Sequence, residues 1–196
     1  LLLAEPLLQA GHPVFLFDVR HHGLAPPAPY VTARHFRDDT RAAVAEVARE
    51  YPDRPRVLIG HSMGGSCGVL AVAEGAPVDG FVSVAAPADL WGVWADHFNA
   101  RGLPGNLIVK VLNPFWRYRA GVPFRTLDPR LRAPEITVPF LLLHGDEDKS
   151  VGLPHAHELA RAAGVEPVIL AGEGHNELLK APELVEKVVR FMEGVG

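Results

Sequence analysis

The sequence contains little of what marks several large classes of protein. Of its 196 residues only Cys67 is a cysteine, which excludes an internal disulfide framework and is typical of a reducing compartment such as the cytoplasm. No apolar run approaches the ~20 residues that a membrane-spanning helix needs. Residues 1–8 also lack the basic start and the small-residue cleavage site of a signal peptide. We therefore expect a cytoplasmic protein with no membrane span.

A basic excess is absent as well. The formal net charge is -4 at pH 7, and Lys and Arg are spread along the chain, which argues against nucleic acid as a partner. A small neutral or apolar molecule is easier to accommodate as a substrate. The composition gives no indication of oligomeric state.

Segments with the properties of strands and helices alternate along the chain, without an internal repeat or a domain linker. We expect strands at residues 14–17, 57–60, 81–85, 140–143 and 167–170, and helices at residues 32–51, 63–74, 154–163 and 182–193. This alternation predicts the α/β class, with a mostly parallel sheet and helices on both of its faces. The length suits a single domain, residues 1–196, which buries roughly 70% of its unfolded surface.

Residues 87–137 interrupt this alternation. They hold all three tryptophans and several prolines, with helical spacing only in patches. We expect a partly helical cap over the carboxyl edge of the sheet, where α/β sheets bind ligands. An irregular surface excursion packed by its own aromatic residues is the alternative. The candidate residues for lining a substrate pocket are His21, His61, Trp91 and Trp94.

The most informative stretch is Gly60-His61-Ser62-Met63-Gly64, which follows an apolar run and precedes a segment rich in small residues. It predicts a strand, a sharp turn and a helix, with Ser62 at the tip. The glycines at positions 60 and 64 are explained if such a turn leaves no room for a Cβ at either position. The amides that begin the helix favour negative charge beside the Ser62 hydroxyl. This pattern indicates a nucleophile for covalent catalysis.

A serine hydroxyl needs a base, and one of the ten histidines stands out for that role. His175 follows the last predicted strand, so it lies on a loop at the same sheet edge as Ser62. His144 ends a strand and is expected to pack or to order its loop. His155 and His157 lack a third ligand with suitable spacing, so no metal site is expected.

The base in turn needs a carboxylate that fixes its tautomer. The loop after the strand at residues 140–143 offers Asp146, Glu147 and Asp148 at that same edge. Asp148 lies deepest in the turn and is preferred, whereas Asp146 suits a hydrogen bond that shapes the turn. The order along the chain is then Ser62, Asp148, His175.

Together these motifs resemble the α/β-hydrolase superfamily, in particular its serine esterase, monoacylglycerol-lipase-like and serine-aminopeptidase-like branches. The resemblance spans nearly the whole chain and rests on Gly60-His61-Ser62-Met63-Gly64, His144-Gly145-x-x-Asp148-x-x-Val151, Gly174-His175 and Asp18-x-Arg20-x-x-Gly23. It implies that Asp148 is the acid of a catalytic triad and that the Met63 backbone N–H is one oxyanion donor. It implies neither a metal nor an organic cofactor.

The sequence departs from the family pattern at two places. Gly152 occupies a position where relatives usually carry proline, which leaves the acid assignment unchanged. The His-Gly loop that supplies the second oxyanion N–H in relatives is absent, and residues 1–11 read as the later part of a helix. Losing one such donor typically costs about 10²–10³ in turnover. We therefore expect a truncated chain whose second donor lies upstream of Leu1.

These residues predict a serine hydrolase that cleaves a carboxylic ester, or less readily an amide, of a small molecule through an acyl-Ser62 intermediate. A peptidase, a thioesterase or an acyltransferase would use the same three side chains, because they specify acyl transfer and not the leaving group. A non-catalytic binding protein with a hydrolase-like fold is the alternative from another class.

Overall fold

A parallel sheet of four strands lies at the centre of the computed structural model, which describes residues 2–195 apart from the side chain of Phe124. The strands lie side by side in chain order, and they are β1 (Val57–His61), β2 (Gly80–Val84), β3 (Phe140–Gly145) and β4 (Val168–Leu170). All three pairings are parallel. The carboxyl ends of the strands therefore meet at one edge of the sheet, and this confirms the predicted fold class.

Eight α-helices connect and flank the strands in the described part of the chain. They are α1 (Ala4–Gln9), α2 (Ala33–Glu50), α3 (Met63–Ala73), α4 (Leu90–Asn99), α5 (Gly105–Ala120), α6 (Pro129–Arg132), α7 (Leu153–Ala163) and α8 (Pro182–Val195). Short 3₁₀ turns span Phe124–Leu127, Ala133–Glu135 and Glu177–Lys180. No helix within residues 2–195 has the length and apolar character needed to cross a membrane.

Alternate residues of the strands belong to two separate hydrophobic cores, one on each face of the sheet. Phe81 and Leu142 face one side, where they pack with apolar residues of α2, α3 and α7. Val82 and Leu143 face the other side, where they pack with residues of α1 and α8. The strands are apolar on both faces because both faces are covered. Full burial of Phe81, whose ring stacks on Phe140 with centroids 4.9 Å apart, fixes β2 against β3.

The chain between β2 and β3 divides into two parts. Helices α4 and α5 pack against each other, and their outer faces are largely exposed. Helix α6 and the turn after it instead contact α3 and α7, and Ala133 is completely buried in the core. We refer to α4 and α5 with the loop between them, residues 90–120, as the α4–α5 pair.

The prediction of a strand at residues 14–17 is wrong. This segment has no regular secondary structure, and Phe15, Leu16 and Phe17 are 49%, 58% and 39% exposed. Only Val14 packs against a core. A short apolar run favours a strand, but a strand forms only where a neighbour accepts and donates its backbone hydrogen bonds. None of the four described strands pairs with this segment.

Candidate active site

Ser62 occupies the sharp turn between β1 and α3. Its backbone has φ 54° and ψ -123°, a conformation that L-residues rarely adopt and that costs of order 1–3 kcal/mol. The turn is held because the Ser62 N–H donates to the Val84 carbonyl at 2.8 Å, while the Ser62 carbonyl accepts from the Ser66 amide at 3.1 Å. The neighbouring strand and the helix thus hold the hydroxyl at the carboxyl edge of the sheet.

The glycines of this turn have unequal roles. A Cβ on Gly60 would lie 2.5 Å from the Gly64 carbonyl oxygen, so this position requires glycine. A Cβ on Gly64 would have no atom within 4 Å, so the expectation of a tight approach there is wrong. The second tight position is Gly65, where a Cβ would lie 2.8 Å from both the Ala86 Cβ and the Ser83 Oγ. Close packing therefore begins one residue further into α3.

Three side chains from separate loops meet beside Ser62. The Nε2 of His175 lies 3.0 Å from the Ser62 Oγ, and its Nδ1 lies 2.7 Å from the Asp148 Oδ2. A carboxylate only accepts, so Nδ1–H of His175 donates to it and Nε2 is left to accept from the serine hydroxyl. The Asp148 side chain is fully buried and that of His175 is 15% exposed. This arrangement can transfer a proton from Ser62 to His175 while the carboxylate stabilises the imidazolium.

Backbone amides fix the Asp148 carboxylate from the other side. Its Oδ1 accepts from the N–H groups of Ser150 and Val151, each at 2.8 Å. Burial opposes ionisation, but the hydrogen bonds from His175, Val151 and Ser150 outweigh it and hold the pKa of Asp148 below its usual value. Asp146 instead accepts from the Gly172 N–H at 2.7 Å and so joins two loops.

Two further histidines support these loops. The Nε2–H of His61 donates to the His175 carbonyl at 2.9 Å, and the two rings lie 4.7 Å apart. The Nε2–H of His144, a fully buried residue, donates to the Val151 carbonyl at 2.8 Å. Burial lowers the pKa of both His61 and His144, so both are held as neutral donors near the site.

A cavity of about 240 Å³ opens beside Ser62 and His175. Its lining is mainly apolar, and it comprises Ser62, Met63, Pro87, Leu90, Val93, Trp94, His97, Ser150, Val151 and His175. Four of these residues lie on α4. Among the described residues, no Asp, Glu, Lys or Arg lines it. The cavity therefore suits a neutral apolar group.

The four candidate pocket residues differ in whether they line the cavity. Trp94 lines the cavity, whereas His61 lies behind His175 and is not in the lining. Trp91 packs edge-on against Trp116 of α5. His21 lies in an exposed loop, where its Nδ1 accepts from the Ala28 N–H at 3.2 Å. Neither His21 nor Trp91 lines the cavity.

The remaining predicted groups have different outcomes. Met63 lines the cavity, and its amide is the first of α3, so it has no partner within the helix. The prediction of a second oxyanion donor upstream of Leu1 concerns a position outside the described residues. Within residues 2–195 no cluster of three or more His, Cys, Asp or Glu is placed to hold a metal ion. Cys67 is fully buried, which raises the pKa of its thiol to about 12.

The sequence alone did not indicate the supporting roles of His61, Ser150 and Val151. The two amides act through backbone atoms, which any residue supplies. His61 was a candidate for the pocket, but its ring turns toward the His175 carbonyl. The position of His61 next to Ser62 in the sequence does not indicate that direction.

The fold and the site together define an α/β-hydrolase. Residues 2–118 match the family model described as serine aminopeptidase, S33, and the chain belongs to this family. No curated protein matches the sequence.

Solved structures show the same fold. An esterase from Pyrococcus furiosus is 22% identical with a TM-score of 0.74, over 100% of this chain and 76% of that one. A putative non-heme bromoperoxidase, BpoC, from Mycobacterium tuberculosis is 18% identical with a TM-score of 0.70, over 98% and 85%. A puromycin hydrolase is 23% identical with a TM-score of 0.59, over 81% of this chain and only 25% of that one.

The unequal glycines can be tested by single substitution. We expect Gly60→Ala to lower the free energy of unfolding by about 1–3 kcal/mol, because its Cβ would collide with the backbone at Gly64. Gly64→Ala is the matched control and should be neutral or stabilising by roughly 0.5–1 kcal/mol, since alanine is favoured over glycine in a helix. Urea denaturation measures both, and equal losses would contradict the assignment.

The buried carboxylate predicts an acid-dependent stability. Because the pKa of Asp148 is lower in the folded state, its contribution is present above the unfolded value near 3.9 and is lost as pH falls through the folded value. The stability gap between wild type and Asp148→Asn should therefore shrink below about pH 4. Urea midpoints from pH 7 to pH 3 measure this gap. In a His175→Ala background the gap should depend less on pH, because one hydrogen bond to the carboxylate is lost. A gap between wild type and Asp148→Asn that does not change with pH would contradict the prediction.

Proposed function

We propose that this α/β-hydrolase cleaves carboxylic esters of small molecules through an acyl-Ser62 intermediate. One observation carries the proposal: Asp148, His175 and Ser62 are joined by contacts of 2.7 and 3.0 Å, and Ser62 and His175 line an apolar cavity. A fixed nucleophile, a base within hydrogen-bond reach and a carboxylate that orients the base are the three requirements of this chemistry.

In the first half-reaction the Ser62 Oγ attacks the ester carbonyl and its proton passes to the His175 Nε2. The negative oxygen of the tetrahedral intermediate is stabilised by the Met63 N–H at the start of α3. Collapse breaks the bond to the alcohol, which leaves with the proton from His175. Asp148 remains ionised throughout and stabilises the imidazolium.

In the second half-reaction a water molecule replaces the alcohol. His175 takes a proton from this water as it attacks the acyl-Ser62 carbonyl, and then returns the proton to the Ser62 Oγ as the acid is released. Atoms balance, because one ester and one water give one alcohol and one carboxylic acid. The enzyme returns to its starting state without a cofactor.

An amide substrate is the second candidate, favoured by the aminopeptidase description of the family and by the likeness to a puromycin hydrolase. An aminopeptidase must hold the free ammonium group of its substrate, for which a carboxylate is the usual partner. The cavity lining among described residues includes no Asp or Glu. This favours an uncharged acyl group, and with it an ester or thioester over an aminoacyl peptide.

The α4–α5 pair serves in this proposal as the cap over the site, since α4 supplies Leu90, Val93, Trp94 and His97 to the cavity. The proposed cap comprises residues 90–120, a shorter range than the 87–137 expected from the sequence. The single cysteine continues to favour the cytoplasm as the compartment.

Active-site labelling tests the nucleophile. A fluorophosphonate probe should label the folded wild type, and Ser62→Ala should abolish labelling and lower kcat for p-nitrophenyl acetate by about 10⁴-fold or more. Ser66→Ala is the matched control and should still be labelled, because the hydroxyl of Ser66 is buried and donates to the Pro87 carbonyl at 2.6 Å. Absence of labelling in folded wild type would favour a non-catalytic binding protein instead.

Acyl preference tests the cavity. Each buried methylene contributes ~0.8 kcal/mol, so kcat/KM for p-nitrophenyl esters should rise about fourfold per added methylene until the cavity is full. Trp94→Ala should flatten this series. The propionyl ester should also be cleaved faster than the alanyl ester, which differs only by an ammonium group, once both are normalised to buffer hydrolysis. A preference for the alanyl ester would overturn the ester assignment and favour an aminopeptidase.

A further inference from the structure

One segment of this acidic chain carries basic residues without any acidic residue among them. Residues 97–127 contain five basic residues and neither Asp nor Glu, although the whole chain has a net charge of -4. The five are Arg101, Lys110, Arg117, Arg119 and Arg125. All but Arg119 are exposed. The segment consists mainly of the α4–α5 pair, and most of it is α5.

These five cations differ from most others in the protein, because no acidic side chain in the described part of the chain lies within ion-pair distance of them. By contrast, nine arginines on the body of the domain form ion pairs, such as Arg37 with Glu74 at 2.8 Å. Charges that are neutralised locally contribute little to a long-range field. The α4–α5 pair carries four of these five cations and a single acidic residue, Asp96, so its net charge is positive although that of the whole chain is negative.

Helix α5 also exposes a continuous apolar face. Leu107, Val111, Phe115 and Tyr118 are spaced four, four and three residues apart, so they share one side of the helix. They are 59%, 68%, 50% and 84% exposed, which is unusual for four large side chains in a row. This row is called the α5 face below.

Basic side chains flank the α5 face. Lys110 and Arg117 are seven residues apart and border it on one side. On the other side the guanidinium of Arg119 lies 5.1 Å from the centre of the Phe115 ring and 4.7 Å from that of Tyr30. An apolar row between two cationic borders is the pattern of a helix that lies in the interface of a membrane.

The position of α5 connects this face to the site. Helix α5 packs on α4, and α4 supplies Trp94 to the cavity beside Ser62. Trp94 is itself 49% exposed. Tryptophan and tyrosine favour the headgroup level of a bilayer. A surface that binds α5 would thus lie close to the helix that lines the cavity.

We propose that the α5 face docks on the surface of an anionic lipid bilayer, with its apolar row among the acyl chains and its cations on the headgroups. A sixteen-residue helix lies on such a surface and does not span it. Association with a second copy of this chain fits less well, because a two-fold contact would place like charges of the two α5 helices against each other. Docking does not depend on the chemistry at Ser62.

Vesicle co-sedimentation of the full-length protein tests the proposal, with Ser62→Ala used throughout so that lipid hydrolysis plays no part. The protein should bind vesicles of 30% phosphatidylglycerol in phosphatidylcholine, and should bind pure phosphatidylcholine at least tenfold more weakly. Lys110→Gln with Arg117→Gln should weaken binding to the anionic vesicles about 30-fold. Leu107→Gln with Val111→Gln should also abolish most binding. Both double substitutions introduce glutamine, which has a high helix propensity, so α5 should remain helical.

A matched pair, Arg161→Gln with Arg190→Gln, removes the same charge from α7 and α8 and should leave binding unchanged. In the Ser62-containing background, all three pairs should hydrolyse soluble p-nitrophenyl acetate like the wild type, which separates lost docking from misfolding and from failure of the proposed function. Equal binding to neutral and anionic vesicles, or no binding to either, would overturn the proposal. A further result would also overturn it. This is a protein that does not bind vesicles but forms a concentration-dependent dimer, which Leu107→Gln with Val111→Gln dissociates.

Discussion

The parallel register of the four strands is the constraint on which the site depends. Ser62, Asp148 and His175 are far apart in sequence, and each follows the carboxyl end of a different strand. Their contacts of 2.7 and 3.0 Å are possible only because β1, β3 and β4 point the same way and are held at fixed distances by β2. Burial on both faces fixes the register, since a one-residue slip would exchange the two cores.

Backbone hydrogen bonds then refine what the sheet places only approximately. The strained turn at Ser62 is tied to Val84, the Asp148 carboxylate to two amides of its own loop, and the His175 loop to His61. Neutral histidines suit such anchoring, because His61 and His144 each donate to a carbonyl without adding charge beside His175. The site is therefore supported by a second set of contacts that carry no chemistry of their own.

The α/β fold and the position of Ser62, Asp148 and His175 at one sheet edge could be predicted from the sequence, because they follow from periodicity and from the ends of strands. The prediction was wrong at residues 14–17, since an apolar run cannot reveal whether a neighbouring strand is available. It was wrong at Gly64 because the spacing of glycines does not specify which Cβ would collide. It also could not give the direction of the His61 ring or the cation pattern of α5, both of which depend on which helix face is covered.

Cys67 has a consequence for how this protein can be studied. It is the only cysteine, it is fully buried in α3, and burial raises the pKa of its thiol to about 12. Maleimides and methanethiosulfonates react with thiolates, so the buried thiol of Cys67 should not react with them. A cysteine introduced at any exposed position would then be the single reactive thiol. Spin labels and fluorophores can be attached one at a time without first removing a native residue from the helix that carries the serine.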